Sequence, residues 1–158
     1  MKKERDIFST NPEKAASRVA INGVMLSSIF VMLAVVFSEP GKFARVAVIQ
    51  MVLSIPFLFV SSLAYSKIGY WKETKLWDSL GYFSNTFGNL FMINAIGLLA
   101  SALSLIVSFV FFGIIISLLF IYSCINIYYT KSYGSKIFKF LFSLIILFFG
   151  GILPLFYI

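Results

Sequence analysis

The sequence has no histidine, one cysteine (Cys124) and six acidic residues in 158. Without histidine, neither a histidine-ligated metal site nor a histidine general base can form. A single cysteine cannot make a disulfide within the chain or a paired-thiol redox centre. The acidic residues all lie outside the long apolar runs: Glu4, Asp6, Glu13, Glu39, Glu73 and Asp78. No carboxylate pair is therefore placed for acid–base chemistry inside a membrane, and we expect a protein that is not an enzyme and that holds no cofactor and no metal ion.

Charge is scarce and apolar residues are abundant. Hydrophobic residues make up 60% of the chain and charged residues 12%, whereas ordinary soluble domains are about 45–50% apolar and about 25% charged. A soluble fold of this length could not bury so much apolar surface. The composition therefore predicts an integral membrane protein.

The long apolar runs set the number of predicted spans. The run 19–37 would be about 28 Å long as a helix, close to the bilayer core of about 30 Å. The apolar part of the charge-free stretch 79–130 would be about 66 Å long, so we expect two spans there, joined by a turn near 104–113. The predicted architecture is a polar segment 1–18 followed by a membrane domain 19–158, with spans at 19–37, 44–65, 86–106, 108–129 and 137–157. The expected fold is an all-α bundle of five transmembrane helices with a cytoplasmic N-terminus and a short amphipathic segment before the third span.

Several residues mark helix ends and breaks. Asn11 followed by Pro12 is typical of an N-cap and a first helical position. Pro56 should kink the second span, and Gly150-Gly151 with Pro154 weaken the end of the last one. The amphipathic segment is predicted from apolar residues that recur at helical spacing. They are Leu76, Leu80, Phe83 and Phe87.

The basic residues give the predicted orientation. With five spans and the N-terminus inside, eleven of the thirteen Lys and Arg residues fall on the inner side. Those residues are Lys2, Lys3, Arg5, Lys14, Arg18, Lys67, Lys72, Lys75, Lys131, Lys136 and Lys139. Only Lys42 and Arg45 fall outside. The positive-inside rule prefers this arrangement to four spans, which would move the last three lysines outside.

Small and polar residues recur along the predicted spans. In the third span they form a stripe at spacings of three and four: Asn94, Gly97, Ser101, Ser104 and Ser108. Such a stripe favours close helix packing in lipid. The alternative is a polar cavity for a neutral solute, lined by Gln50, Asn94 and Asn126.

The loop before the third span combines aromatic and basic residues. We expect Trp71, Lys72, Lys75 and Trp77 to contact the membrane surface, because lysines attract anionic headgroups and aromatic rings favour the headgroup level. The net charge of +7 lies beside the spans and no nucleic-acid motif accompanies it, so no nucleic-acid partner is expected.

Three passages resemble the Yip-domain family, the five-span membrane proteins named for Rab-GTPase interaction. They are Ser9-Thr10-Asn11-Pro12 before the first span, KETKLWDSLGYFSN at 72–85, and IYSCINIYYTKSYGSKIFKF at 121–140. The Asp-Leu-Tyr-Gly-Pro type signature of eukaryotic members is absent, so the chain is similar to the prokaryotic-like members. The resemblance implies a non-enzymatic protein of the cytoplasmic membrane of a prokaryote, which associates with lipids or with other proteins.

Three functions therefore stand as alternatives. The first is a scaffold or adaptor that acts through anionic membrane lipids, a protein partner or a second copy of the chain. The second is a small transporter or channel for a neutral solute. The third is a subunit of a larger membrane complex.

Overall fold

The computed structural model describes residues 11–39, 41–68, 70, 74–130 and 133–158, with only the backbone of Thr130 and Ser135. Regular structure in these residues is entirely helical, as the composition predicted. The helices are α1 (Pro12–Ser38), α2 (Arg45–Lys67), α3 (Lys75–Leu99), α4 (Leu105–Thr130), α5 (Tyr133–Leu147) and the short α6 (Leu153–Leu155). A 3-10 turn (Ala100–Ala102) precedes α4, and a π turn (Phe148–Ile152) joins α5 to α6.

Four helical segments among the described residues are long and apolar enough to cross a membrane. They are Pro12–Ser38, Arg45–Lys67, Leu105–Tyr129 and Lys136–Leu155. This set is compatible with a multi-pass membrane protein. α3 has 25 residues and is not in the set, because its first half carries polar and charged side chains. The predicted third span, and with it the count of five spans, therefore stays a prediction.

The start of α1 confirms the predicted cap. The side chain of Asn11 accepts a hydrogen bond from the Lys14 backbone N–H at 2.9 Å, and the Asn11 carbonyl accepts one from Ala15 at 2.9 Å. Pro12 occupies the first helical position, where its missing N–H costs nothing. Residues 1–10 of the predicted N-terminal segment lie outside the described residues.

The connection between α1 and α2 is a tight turn. The Lys42 backbone N–H donates to the Glu39 carbonyl at 3.3 Å, and the two side chains form an exposed ion pair at 2.5 Å. Gly41 has a φ of 95°, a conformation that costs other residues about 1–2 kcal/mol. Glycine at this position therefore permits the turn that the Lys42–Glu39 hydrogen bond closes.

The predicted amphipathic segment leads directly into α3. It forms the first turns of α3, which runs without interruption from Lys75 to Leu99. Leu76 is 83% exposed and Leu80 44% exposed. The predicted apolar face is therefore exposed at its start and belongs to a longer helix.

The turn between α3 and α4 comes earlier than predicted. α3 ends at Leu99 and α4 begins at Leu105, whereas the sequence had favoured a third span to 106 and a turn near 104–113. Two serine hydroxyls bond to backbone groups at this turn, and that of Ser104 caps the start of α4. Ser101 Oγ donates to the Leu98 carbonyl at 2.6 Å, and Ser104 Oγ accepts from the Val107 N–H at 3.2 Å.

The chain divides into two compact units. The first consists of Met1–Ser38 and Met51–Asn89, and the second of Glu39–Gln50 and Leu90–Ile158. Ala15, Tyr65 and Ile68 form a buried cluster in the first unit, with Val19 and Trp77 packed against it. The core of the second unit consists of Ala47, Leu90, Leu98, Phe112, Leu147 and Leu155.

Candidate functional site

Two buried amides of the second unit meet the break after α5. Gln50 Nε2 donates to the Gly150 carbonyl at 2.5 Å, and Asn94 Nδ2 donates to the Ile146 carbonyl at 3.1 Å. Gln50 is 7% exposed and Asn94 is fully buried. We call these two side chains, with Gly150 and Gly151, the amide cluster.

The break itself explains why the Gly150 carbonyl needs a donor from another helix. In an α-helix the Gly150 carbonyl would accept from residue 154, but Pro154 has no N–H. The Leu153 N–H donates to Phe148, five residues back, which is the pattern of a π turn. A carbonyl without a partner is costly in an apolar interior, so the amides of α2 and α3 stabilise the break.

Glycines permit the close approach of these groups. A Cβ atom on Gly150 would lie 2.3 Å from Asn94 Nδ2, and one on Gly151 would lie 2.4 Å from the Phe112 ring. On α3, a Cβ on Gly97 would also lie 2.4 Å from Phe112. The Gly97 carbonyl accepts a hydrogen bond from Ser108 Oγ at 2.8 Å, so α3 and α4 are joined at this point.

Each amide retains an acceptor oxygen. Gln50 Oε1 and Asn94 Oδ1 are buried, and neither has a hydrogen-bond partner among the described residues. Both amides approach the Gly150 position, where a Cβ would lie 3.3 Å from Gln50 Oε1 and 3.3 Å from Asn94 Cγ. The cluster can accept hydrogen bonds from a small donor, but it holds no acid or thiol for catalysis.

The first unit contains its own polar contacts between helices. Asn22 Nδ2 donates to Ser61 Oγ at 3.1 Å, and Ser61 Oγ donates to the Gly81 carbonyl at 3.1 Å. These bonds join α1, α2 and α3. Near the start of α1, the Arg18 guanidinium donates to the Tyr65 hydroxyl and lies 4.8 Å from the centroid of its ring. The Arg18–Tyr65 pair could not be predicted from the sequence, since 47 residues separate the partners.

The residues of the predicted third-span stripe occupy different elements. Asn94 and Gly97 lie on α3, Ser101 lies in the 3-10 turn, and Ser108 lies on α4. Ser104 precedes α4 and accepts a bond from its first turn. The structure thus brings Gly97 and Ser108 together across a turn, whereas the prediction placed them along one helix.

The predicted cavity residues are only partly brought together. Gln50 and Asn94 share the amide cluster, but Asn126 donates to the Tyr122 carbonyl of its own helix at 2.9 Å. It lies about 21 Å along α4 from Phe112, the residue that contacts the cluster. Asn126 is therefore not part of the cluster.

The four residues predicted to contact the membrane surface also differ in where the structure places them. Trp71 and Lys72 lie outside the described residues. Lys75 is exposed at the start of α3. Trp77 is half-buried and packs against the cluster of Ala15, Tyr65 and Ile68, so its ring helps to hold the first unit together.

The long apolar helices place the chain in a broad class, helical proteins compatible with multi-pass insertion in a membrane. No protein-family model, curated protein or solved structure matches the chain. The described residues contain no group of three His, Cys, Asp or Glu side chains that could hold a metal ion. The resemblance to the Yip-domain family has no support from these comparisons and stays a prediction.

Proposed function

We propose that this chain is a non-enzymatic membrane scaffold or adaptor, which acts through the lipids or proteins that its helices contact and conducts no solute. The observation that carries the proposal is that buried polar side chains of the chain form hydrogen bonds between helices. Asn22, Gln50, Asn94 and Ser108 each donate a hydrogen bond to a group on another helix. Inside lipid, such bonds hold helices together.

The outer surface of the second unit supports the same proposal. In the most apolar part of α4 only 11% of the residues are buried, and the same holds for the segment Lys136–Leu155, against 33% in α2. The exposed apolar residues of α4 include Ile106, Val110, Ile114, Leu118, Ile121 and Ile125. This surface is suited to acyl chains or to an apolar helix of a partner.

A second candidate is the binding or passage of a small neutral solute. The two acceptor oxygens of the amide cluster favour it, because a hydrogen-bond donor could bridge Gln50 and Asn94. Breaks in membrane helices also form the binding sites of many transporters. The absence of a charged side chain between residues 79 and 130 argues against coupling to an ion at this site.

Osmotic swelling of vesicles separates the two functions. The purified chain is reconstituted, and swelling in glycerol or urea is followed by light scattering. We expect vesicles that contain the chain to swell at the same rate as protein-free vesicles. The opposite result is faster swelling that is lost in Gln50→Leu and in Asn94→Leu and is retained in the control Asn126→Leu. That result would overturn the proposal and establish the second candidate.

A subunit of a larger complex would behave differently on purification. A scaffold that folds by itself is expected to form one monodisperse species in detergent. Aggregation of the isolated chain in every detergent that preserves its helix content would favour the third alternative.

A further inference from the structure

We infer that the amide cluster binds one buried water molecule, which donates one hydrogen bond to Gln50 Oε1 and one to Asn94 Oδ1. The inference concerns the second unit alone and does not depend on what the chain does in a membrane. It gives the helix break after α5 a small uncharged ligand as part of its structure.

The first argument is the orientation of the two side-chain amides. A carboxamide has a donor nitrogen and an acceptor oxygen, and its neighbours decide which way round it lies. Gln50 Nε2 faces the Gly150 carbonyl at 2.5 Å, and Asn94 Nδ2 faces the Ile146 carbonyl at 3.1 Å. Turning either amide round would bring its oxygen against a carbonyl oxygen. The helix break therefore fixes the positions of both amide oxygens, and both need a donor from elsewhere.

The second argument is that the described part of the chain supplies no such donor. Gln50 is 7% exposed and Asn94 0% exposed, and neither oxygen accepts a hydrogen bond from a described residue. The hydroxyl of Ser108 reaches α3 one turn away from Asn94, but it donates its proton to the Gly97 carbonyl at 2.8 Å. Buried acceptors that lack a protein donor are the groups to which internal water molecules bind.

The third argument is the charge of the surroundings, which favours an uncharged ligand. Residues 45–67 and 79–158 contain neither Asp nor Glu, and the acid of the second unit, Glu39, is paired with Lys42 at 2.5 Å. A cation held by two amide oxygens would therefore carry its charge into an apolar interior without a counter-ion, at a high cost. Water offers two O–H donors without charge, which matches the two acceptors.

The fourth argument is the size of the site. Gln50 Oε1 and Asn94 Cγ each lie 3.3 Å from the point that a Cβ of Gly150 would occupy. Asn94 Oδ1 lies 2.7 Å from the corresponding point on Gly151, and the Phe112 ring lies 2.4 Å from it. Groups this close together form a narrow site. Water has a volume of about 30 Å³ in the liquid, whereas the larger glycerol or urea would have to displace Asn94 or Phe112.

The sequence makes this water observable, because Gln50 is the only glutamine. When the full chain is labelled with ¹⁵N in glutamine alone, NMR in detergent detects a single glutamine side-chain amide. The test measures the cross peak between this amide and water in NOE and ROE spectra. Opposite signs in the two spectra identify a water molecule held in contact with the amide, whereas equal signs identify proton exchange.

We expect a cross peak with opposite signs in the wild type and its loss in Asn94→Leu, which removes one of the two acceptors. The control Asn126→Leu should retain the cross peak, since the Asn126 amide donates within its own helix at 2.9 Å. Adding sodium chloride or urea should leave the Gln50 signals unshifted. Circular dichroism shows whether each variant keeps its helices.

Three results would overturn the inference. They are the absence of the cross peak in the wild type, a cross peak of full intensity in Asn94→Leu, and a saturable shift of the Gln50 signals with sodium or urea. The first and third need no variant, so they remain decisive even where a variant fails to fold.

The inference and the proposed function can fail separately. Faster swelling in glycerol or urea would remove the scaffold proposal, whereas the water signal of Gln50 is measured without any flux. Loss of the water site would leave a non-conducting scaffold intact.

Discussion

Three glycines of the second unit, Gly97, Gly150 and Gly151, occupy positions where one added carbon would overlap a neighbour. Each lies against a side chain from another helix, either Phe112 or Asn94. If these helices cross a membrane, as we propose, lipid offers little apolar driving force for their association, and close contact of this kind carries much of the packing energy. At the scale of the residue, small size is therefore the property on which the fold depends.

Gly151→Ala should lower the stability of the chain by about 1–3 kcal/mol, because the new methyl group must displace Phe112 or Asn94. Thermal unfolding in detergent, followed by circular dichroism, gives the shift. The matched control is Gly113→Ala on α4, where an added carbon meets no atom within 4 Å. Equal unfolding temperatures for both variants would show that Gly151 is not closely packed.

Interactions between residues close in the sequence could be predicted, whereas interactions between residues far apart in the sequence could not. The cap at Asn11 follows from two adjacent residues, and the structure confirms it. The bond from Gln50 to Gly150 joins residues 100 positions apart, and periodicity within one span holds no information about such a pair. The sequence named Gln50 and Asn94 as polar residues facing the interior, but it could not predict that both would serve the same helix break.

At the scale of the element, the break after α5 depends on residues of three helices. Pro154 removes a backbone donor, the π turn shifts the bonding pattern, and Gln50 and Asn94 supply donors from α2 and α3. The sequence predicted that Gly150-Gly151 and Pro154 would weaken the last span. It could not predict the compensation, since the π turn depends on packing against other helices.

A double-mutant cycle tests this compensation. Gln50→Leu alone should destabilise the chain by about 1 kcal/mol, because it deprives the Gly150 carbonyl of its side-chain donor. In a Pro154→Ala background the cost should be smaller, because the alanine restores a backbone N–H at the α-helical position. Unfolding temperatures of the four proteins give the coupling energy. A cost of Gln50→Leu that is the same in both backgrounds would contradict the explanation.

The turn between α3 and α4 shows a second limit of sequence reasoning. A regular stripe of serines and glycine continued through 94–108, so the helical pattern gave no reason to stop at Leu99. Serine can either continue a helix or bond to nearby backbone and end it. Ser101 bonds to the Leu98 carbonyl and Ser104 caps the first turn of α4, and no Gly or Pro marks the change.

At the scale of the whole molecule, composition predicted the helical class and the apolar character of most helices. Within the part of the chain that the structure describes, four segments are long and apolar enough to cross a membrane. The division into two units was not predictable, because it depends on which parts of α2 and α3 pack with which neighbours. The hydrogen bonds of the buried amides likewise could not be predicted without the three-dimensional arrangement of the helices.

The most direct test of the central claim, a packed interior that conducts no solute, is the reactivity of a buried thiol. Cys124 is exposed and is the only cysteine, so Cys124→Ser gives a background without thiols. In that background Ser108→Cys places a thiol of nearly the same size at a position that is fully buried, and Lys42→Cys places one in an exposed turn. The account predicts that a charged thiosulfonate reagent labels the reconstituted Lys42→Cys protein and leaves Ser108→Cys unlabelled until the protein is denatured. Labelling of both positions at similar rates in the folded protein would contradict it.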